Sequence, residues 1–384
     1  MKKGTVLKTA IISLALVFAG FALAASQGES KKDGFYFVQL SDTHWGFSDP
    51  KINPDFAGTL KKAIAMVNSM KPQPDFAVFT GDDTHTTDDP LERRKRLSEF
   101  LELTKTLSVK KIYYLPGEHD AGLDQGAVYK ELIGISDYSF DHDGVHFVAL
   151  DNVSQPQSTI GEQGLQWLAA DLKGLKPDQK IIVLTHRPLF DLYPDWDWHT
   201  GDGGKAIDLL APFKDVTVFY GHIHQINRHA TGSMEHYAAS GMMYPLPAPG
   251  SQPKKAPIPW KPEKPYDQLG FRAVEIDKKA AHAVITEYPL AMQEKEIEIV
   301  AKKFAFMPSE IRLKKGEPVV LKLKSLDRQH GFYCKELGIR EDINPGKTTE
   351  VHLIPAKAGT FSFECDVFCG SGHDDMNGRI VVTE

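Results

Sequence analysis

Cysteine is scarce in this chain. Three occur among 384 residues, Cys334, Cys365 and Cys369, and all fall in the last 51. A disulfide framework would spread cysteines along the chain, so this clustering marks off a C-terminal unit with chemistry of its own. A long basic block is also missing, and the formal charge is −6. Duplex nucleic acid is therefore not an expected partner, because it demands a basic stripe. There is no internal repeat, and no cysteine stands directly after Ala25, which argues against a bacterial lipoprotein anchor. Apolar content of 41% and charged content of 25% are those of an ordinary globular protein. The length allows two or three domains.

The N-terminus has Lys2, Lys3 and Lys8 ahead of an apolar run, with Ala22-Leu23-Ala24 as a small-residue cleavage site. That is the three-part pattern of a secretory leader, expected over residues 1–24, and it implies export, to a periplasm. The alternative is an uncleaved anchor, against which the run is short for a span. Membrane contact is expected only through this segment, and only if it stays uncleaved.

From Gly34 onward apolar runs alternate with amphipathic stretches. "GFYFVQL", "DFAVFTGDD" and "KIYYLPGEHD" read as buried strands. Between them, Phe56, Leu60, Ile64, Val67 and Met70 stand at helical spacing, and a second helix opens at Pro90. "YSFDHDGVHFVALDN" reads as a hairpin turning at Asp143-Gly144, followed by the helix "GEQGLQWLAADLKGL". "KIIVLTHRPLF", "VTVFYGHIHQ", "HYAASG", "FRAVEID" and "AHAVITEY" read as further strands. This alternation predicts a layered α/β domain over residues 34–292. The proline-dense stretch after Gly241 excludes helix and central strand and reads as a long loop, either a lid or a docking face for the second domain. Beyond Lys295 the pattern is that of a small β-sandwich over 295–384.

Five predicted strands end in metal-ligand residue types: Asp42-x-His44, Gly81-Asp82, Gly117-Glu118-His119-Asp120, Thr185-His186 and Gly221-His222-Ile223-His224. Strand ends of an α/β sheet converge on one edge, where sites are built. Carboxylate with imidazole suits Zn, Mn or Fe. Two such ions clamp a phosphate and generate hydroxide at neutral pH. Each motif is weak alone; the ordered set is strong. It resembles the calcineurin-like metallophosphoesterase family over about Gly34 to Tyr288. The resemblance implies that Asp42, His44, Asp82 and His224 hold one metal, with Asp82 bridging, and that Glu118, His186 and His222 complete the second. It implies His119 beside the leaving group, oriented by Asp120, and in-line attack of metal-bound hydroxide on a small phosphate ester. The family usually has Asn where this chain has Glu118. The added charge is expected to tighten metal binding, weaken Lewis acidity and favour monoanionic diesters. Tyr193, Trp196, Trp198 and His199 read either as a substrate mouth or as a packed surface loop. His85, His142, His146, His229 and His236 are assigned no role.

The second constellation is "CDVFCGSGHDDM", with Cys365, Cys369, His373 and Met376, and His330 upstream in "SLDRQHGF". Thiolate, imidazole and thioether together select copper. The pattern resembles the binuclear CuA site of cytochrome c oxidase subunit II and nitrous oxide reductase, in a cupredoxin domain. The resemblance implies His330, Cys365, Cys369, His373 and Met376 as side-chain ligands and the carbonyl of Val367 as a further one, with a periplasmic redox partner. A Cys365–Cys369 disulfide and a single-copper site using Cys369, His373 and Met376 are the alternatives. Cys334 matches no ligand position.

The expected protein is an exported dinuclear phosphoesterase, a layered α/β sandwich followed by a small all-β cupredoxin sandwich. Its rival is a copper-binding or electron-transfer protein whose first domain is a catalytically weak scaffold, a reading that Glu118 favours. A pure interaction module explains neither ligand set. One conceivable link between the sites is redox gating of an iron by copper.

Overall fold

The computed structural model describes residues 34–277 and 282–384; the expected leader lies outside them. The chain opens with β1 (Gly34–Leu40), α1 (Phe56–Ser69), β2 (Met70–Lys71), β3 (Phe76–Thr80), α2 (Pro90–Thr104) and β4 (Ile112–Leu115). Then come α3 (Glu118–Ala121), α4 (Ala127–Leu132), β5 (Tyr138–His142), β6 (Val145–Ala149), α5 (Gly161–Asp171), β7 (Lys180–Leu184), α6 (Gly203–Leu210) and β8 (Asp215–Tyr220). A second hairpin, β9 (Asn227–Thr231) with β10 (Met234–Ala238), precedes β11 (Gly270–Asp277) and β12 (Val284–Pro289).

Apart from β2, these strands form two sheets, ordered β12-β11-β1-β3-β4 and β5-β6-β7-β8-β10-β9. Successive side chains of a strand point to opposite faces. Phe35 and Phe37 of β1 therefore pack with Phe147, Ile182 and Phe219 between the sheets. Tyr36, Val38 and Leu40 face outward onto Leu60, Ala63, Ile64 and Val67 of α1. Across the other sheet, Leu165 and Leu168 of α5 and Ala206 and Leu210 of α6 cover Val183 and Val218. The result is a helix–sheet–sheet–helix sandwich whose central strands are buried on both faces, which is why they read as continuous apolar runs. α1 is shorter than its periodicity predicts: Asp55 caps it by accepting from the Gly58 N–H, and Met70 has already turned to extended backbone.

The remaining strands are β13 (Lys295–Lys302), β14 (Ala305–Met307), β15 (Glu310–Lys314), β16 (Val319–Ser325), β17 (His330–Cys334), β18 (Ile339–Ile343), β19 (Thr348–Pro355), β20 (Gly359–Glu364) and β21 (Asn377–Thr383). They form a sandwich of β14-β13-β16-β19 against β15-β21-β20-β17-β18 around Ile299, Leu321, Phe332, Phe363 and Ile380. β19 continues into the layered body: Ile354 pairs with Met70 and Pro355 with Lys71, in parallel. The Ala356 N–H donates to the Lys71 carbonyl at 2.7 Å, and Lys315 Nζ meets Glu275 at 2.6 Å. The proline-dense loop does not provide this joint. Among the described residues no hydrogen bond, ion pair or ring contact joins 245–269 to 295–384; Trp260 and Tyr266 instead reach Lys51 and Asp55. No helix among the described residues is long and apolar enough to cross a membrane.

Candidate metal centres

The strands β1, β3, β7 and β8 each stop short of a ligand-type residue, and the chain then turns sharply. Asp42, His44, Asp82, His222 and His224 have φ of 56°, 42°, 51°, 65° and 51°. Left-handed backbone at a non-glycine residue costs on the order of 1–3 kcal/mol and collects at functional sites. The expected strand "VTVFYGHIHQ" ends at Tyr220 for this reason. Gly81, at φ +93°, also makes room: a Cβ there would lie 2.5 Å from His186 Nδ1.

The turns bring two clusters together, each with its ligand atoms within 4.8 Å of one another. One is Asp42, His44, Asp82 and His224; the other is Asp82, Glu118, His186 and His222. Asp82 belongs to both. In the first, His44 Nε2 stands 3.2 Å from His224 Nε2 and 3.6 Å from Asp82 Oδ2. In the second, His186 Nε2 and His222 Nδ1 each lie 2.8 Å from a Glu118 oxygen. Short as these are, His186 Nε2, His222 Nδ1 and Glu118 Oε2 have no aligned hydrogen-bond partner, and neither has Asp42 Oδ2. Buried polar atoms that converge without bonding one another fit a cation, so the donor set suits a metal pair.

The far edge of three of the four imidazoles is held by a carbonyl. His186 Nδ1 faces the Thr80 carbonyl at 2.7 Å, His224 Nδ1 the Tyr244 carbonyl at 2.6 Å, and His222 Nε2 the Asp197 carbonyl at 3.1 Å. Such partners fix which ring nitrogen is free to bind. Burial raises Glu118, but His222, Arg187 and His186 outweigh it and hold its carboxyl well below the usual range. Burial likewise raises Asp82 and Glu118 repels it, yet His186 and His119 keep it low.

Asp120 does not orient His119. Its carboxylate accepts from the N–H groups of Gly117, Asp83 and Thr84 and from the Thr84 hydroxyl, at 2.7–2.9 Å, so it ties two ligand loops together. Burial and the nearby Asp82 push Asp120 up to about 6. The partner of His119 is Thr86, whose hydroxyl lies 2.5 Å from Nδ1. That leaves His119 Nε2 turned to the site, 3.9 Å from Asp82 Oδ2. His85, assigned no role from sequence, stacks on His119 at 4.9 Å and brings its Nδ1 to 3.3 Å from His44 Nδ1. Tyr244 was also missed; its ring stacks on His224 at 4.6 Å. No motif names either residue, but both lie close to ligands in sequence or in the loop beyond them. Trp196 and Trp198 are buried, ring against ring at 5.2 Å, with Tyr220, Ile223 and Tyr244. They support the site and do not line a substrate mouth.

In the second sandwich the loop from β20 to β21 carries the thiols. Cys365 Sγ lies 3.9 Å from Cys369 Sγ, 3.9 Å from His330 Nδ1 and 3.2 Å from the Val367 carbonyl. Cys369 Sγ lies 3.7 Å from His373 Nδ1 and 3.9 Å from Met376 Sδ. All six expected groups therefore meet, and the cysteines are free, not a disulfide. His330 Nε2 is held by Asp327 at 2.8 Å, which leaves Nδ1 for the centre. Burial, with Cys365 beside it, pushes the Cys369 thiol up to about 11. Two soft thiols between imidazoles and a thioether fit copper. Cys334 is buried in the same core cluster, at the other end of β17 from His330.

A family profile described as calcineurin-like phosphoesterase matches residues 35–226, half of the chain, and one described as cupredoxin-like domain matches 277–382. A protein named "Probable glycerophosphodiester phosphodiesterase GpdQ" from Arcobacter nitrofigilis is 28% identical over 204 residues, 50% of this chain and 72% of that one. "Cytochrome c oxidase subunit 2" of Thermus thermophilus is 33% identical over 86 residues, 22% of this chain and 64% of that one. The chain thus spans less than two thirds of that subunit. A solved dimetal phosphatase from Danio rerio superposes with a TM-score of 0.47 at 16% identity, covering 67% of this chain and 96% of that one. The profile match over half its length, on a sandwich whose strand ends gather these ligands, places the chain in the calcineurin-like phosphoesterase family, with a cupredoxin-like domain at its C-terminal end.

Proposed function

We propose that the protein is an exported, metal-dependent phosphodiesterase, divided near residues 292–295, whose second domain holds a binuclear copper centre for electron exchange. The observation that carries the hydrolytic reading is the pair of four-residue clusters sharing Asp82. Asp42, His44, Asp82 and His224 would hold one ion, and Asp82, Glu118, His186 and His222 the other, as Mn, Fe or Zn. Such a pair supplies a hydroxide nucleophile at neutral pH and a clamp on phosphate oxygens. The chain's own residues do the rest. His119, pinned at Nδ1 by Thr86, offers Nε2 as the proton donor to the leaving alkoxide. Asp120 keeps the two ligand loops in register. The relative named as a glycerophosphodiester phosphodiesterase supports a diester substrate.

For the second domain, His330, Cys365, Val367, Cys369, His373 and Met376 would bind copper. Their loop opens outward: Phe368 is 80% exposed and its ring lies 5.8 Å from His373. That position suits contact with a separate redox protein. The rival reading, a scaffold with a weakened first site, rests on Glu118; the buried Arg187 beside it speaks against a decayed site.

Turnover of bis(p-nitrophenyl) phosphate by protein loaded with Mn, Fe or Zn tests the reading, with Asp82→Ala as control. Asp82-dependent hydrolysis faster than that of p-nitrophenyl phosphate is expected. Metal-replete protein with no turnover above the Asp82→Ala variant would hand the case to the rival.

A further inference from the structure

Glu118 makes the hydrolytic site richer in charge than the family pattern. Asp42, Asp82 and Glu118 give three carboxylates around it. An unopposed third carboxylate would hold a cation harder and repel an anionic ester. The structure places a cation beside that added charge. Arg187 Nη2 lies 3.5 Å from Glu118 Oε1, and the arginine side chain is 4% exposed. It follows His186 directly, yet it is not aimed at solvent. Its other nitrogen, Nη1, donates to the Asp197 carbonyl at 2.9 Å and to the Asp197 carboxylate at 2.8 Å. Its backbone is clamped as well: Asn152 accepts from the Arg187 N–H and donates to the Arg187 carbonyl. Asp197 takes a left-handed turn, φ 64°, to present these acceptors. The guanidinium is thus built into place on the Glu118 side of the site, and its Nε has no partner.

We propose that Arg187 is the counter-charge of Glu118, a positioning residue that makes the buried pair count as neutral at the metal site. This rests on the metal-site reading above. Asp197, whose carboxylate Arg187 also meets, is 54% exposed and its charge is screened by solvent, so at the buried site it is the Glu118 charge that the guanidinium offsets. Burying a carboxylate against the two histidines without such a partner would be costly, and the fixed planar fork of arginine meets the need from a packed position.

The test is metal affinity of the apoprotein, measured by competition with a chromophoric chelator for Mn²⁺ and Zn²⁺, with diester kinetics alongside. Arg187→Gln should bind the weaker-held ion about tenfold more tightly and lose about tenfold in kcat/KM on the diester, because Glu118 is left unopposed. Arg187→Lys, which keeps the charge but loses the fork, should fall between the parent and Arg187→Gln in metal affinity, and Asp197→Asn, which keeps the Glu118 contact, should stay within about twofold of the parent. Should Arg187→Gln fail to fold, Glu118→Asn and Glu118→Asn/Arg187→Gln, in which no carboxylate is stranded, give the same comparison: the double variant should hold metal more tightly than the single. Unchanged or weaker metal affinity on removing Arg187, while Asp82-dependent binding persists, would overturn the proposal. Loss of all Asp82-dependent binding in the parent would instead overturn the metal-site reading.

Discussion

Thr86 is a small residue with a large positional effect. Its hydroxyl at 2.5 Å from Nδ1 decides which nitrogen of His119 faces the site. Replacing it by valine keeps the shape and removes the bond. Thr86→Val should lower kcat about tenfold on a diester with an alkyl leaving group, since an acid in place is worth roughly 10²–10⁴ and this variant misplaces it only in part. With p-nitrophenolate as leaving group, which needs little protonation, the loss should be under about threefold. Equal losses on both substrates would show that Thr86 acts on something other than the proton. The residues of the two clusters were legible in sequence as candidates because they stand where apolar runs close. His85, Thr86 and Arg187 were not, because what they touch is set by turns that a linear pattern does not encode. The orienting role expected of Asp120 failed on the same ground: adjacency to His119 in sequence put it on the other side of the loop.

At the scale of elements, the two-residue strand β2 matters more than its length suggests. It was invisible in sequence, where Met70 reads as the last turn of α1. β19 pairs with it and delivers Ile354 and Ala356 into the apolar cluster of α1, Leu97 and Phe100. Ile354 is 1% exposed although it lies at the end of a strand of the other domain. Truncating such a side chain costs about 2–5 kcal/mol. Ile354→Ala should therefore lower the urea midpoint of the phosphoesterase domain, read by loss of hydrolysis, as well as that of the cupredoxin-like domain. A shift confined to the copper absorbance would mean that the joint contributes nothing to the first domain. β9, which pairs with the strand expected at "HYAASG", and the short α6 were missed for a related reason: each is stabilised by what it packs on more than by its own pattern.

The whole molecule keeps its two centres apart. Gly359, Thr383, Pro355 and Lys315 lie at the end of the β-sandwich that meets the layered body, as the β20–β21 register and the Lys315–Glu275 pair require. The copper-type loop lies at the opposite end, after Glu364, where Glu364 pairs with Asn377. Six strand residues span about 20 Å, so the thiols stand roughly that far from the docked end. Among the described residues, every hydrogen-bond, ion-pair and ring partner of residues 365–376 lies within 304–377. Electron transfer falls off exponentially with distance, so this arrangement opposes gating of the hydrolytic metals by copper in the same chain. Diester hydrolysis should be equal, within about twofold, with copper oxidised and reduced, and in a Cys365→Ser/Cys369→Ser variant that has lost its colour, because among the described residues the copper-type loop makes no hydrogen bond or ion pair outside its own domain. A rate that follows the copper redox state would refute this separation.

What the sequence alone determined was chemistry and order: apolar runs with period two, ligand residues at their ends, and a soft-ligand cluster confined to the last 51 residues. These survive in a linear reading because strand ends and metal ligands are local facts. What the tertiary structure decided was everything set by long-range approach. It made Asp82 common to two clusters, set Arg187 against Glu118, gave His119 to Thr86, buried Trp196 and Trp198, and pointed the copper-type loop away from the phosphoesterase domain. Each depends on backbone turning through left-handed conformations or on one sheet meeting another, and neither leaves a periodic trace in the chain.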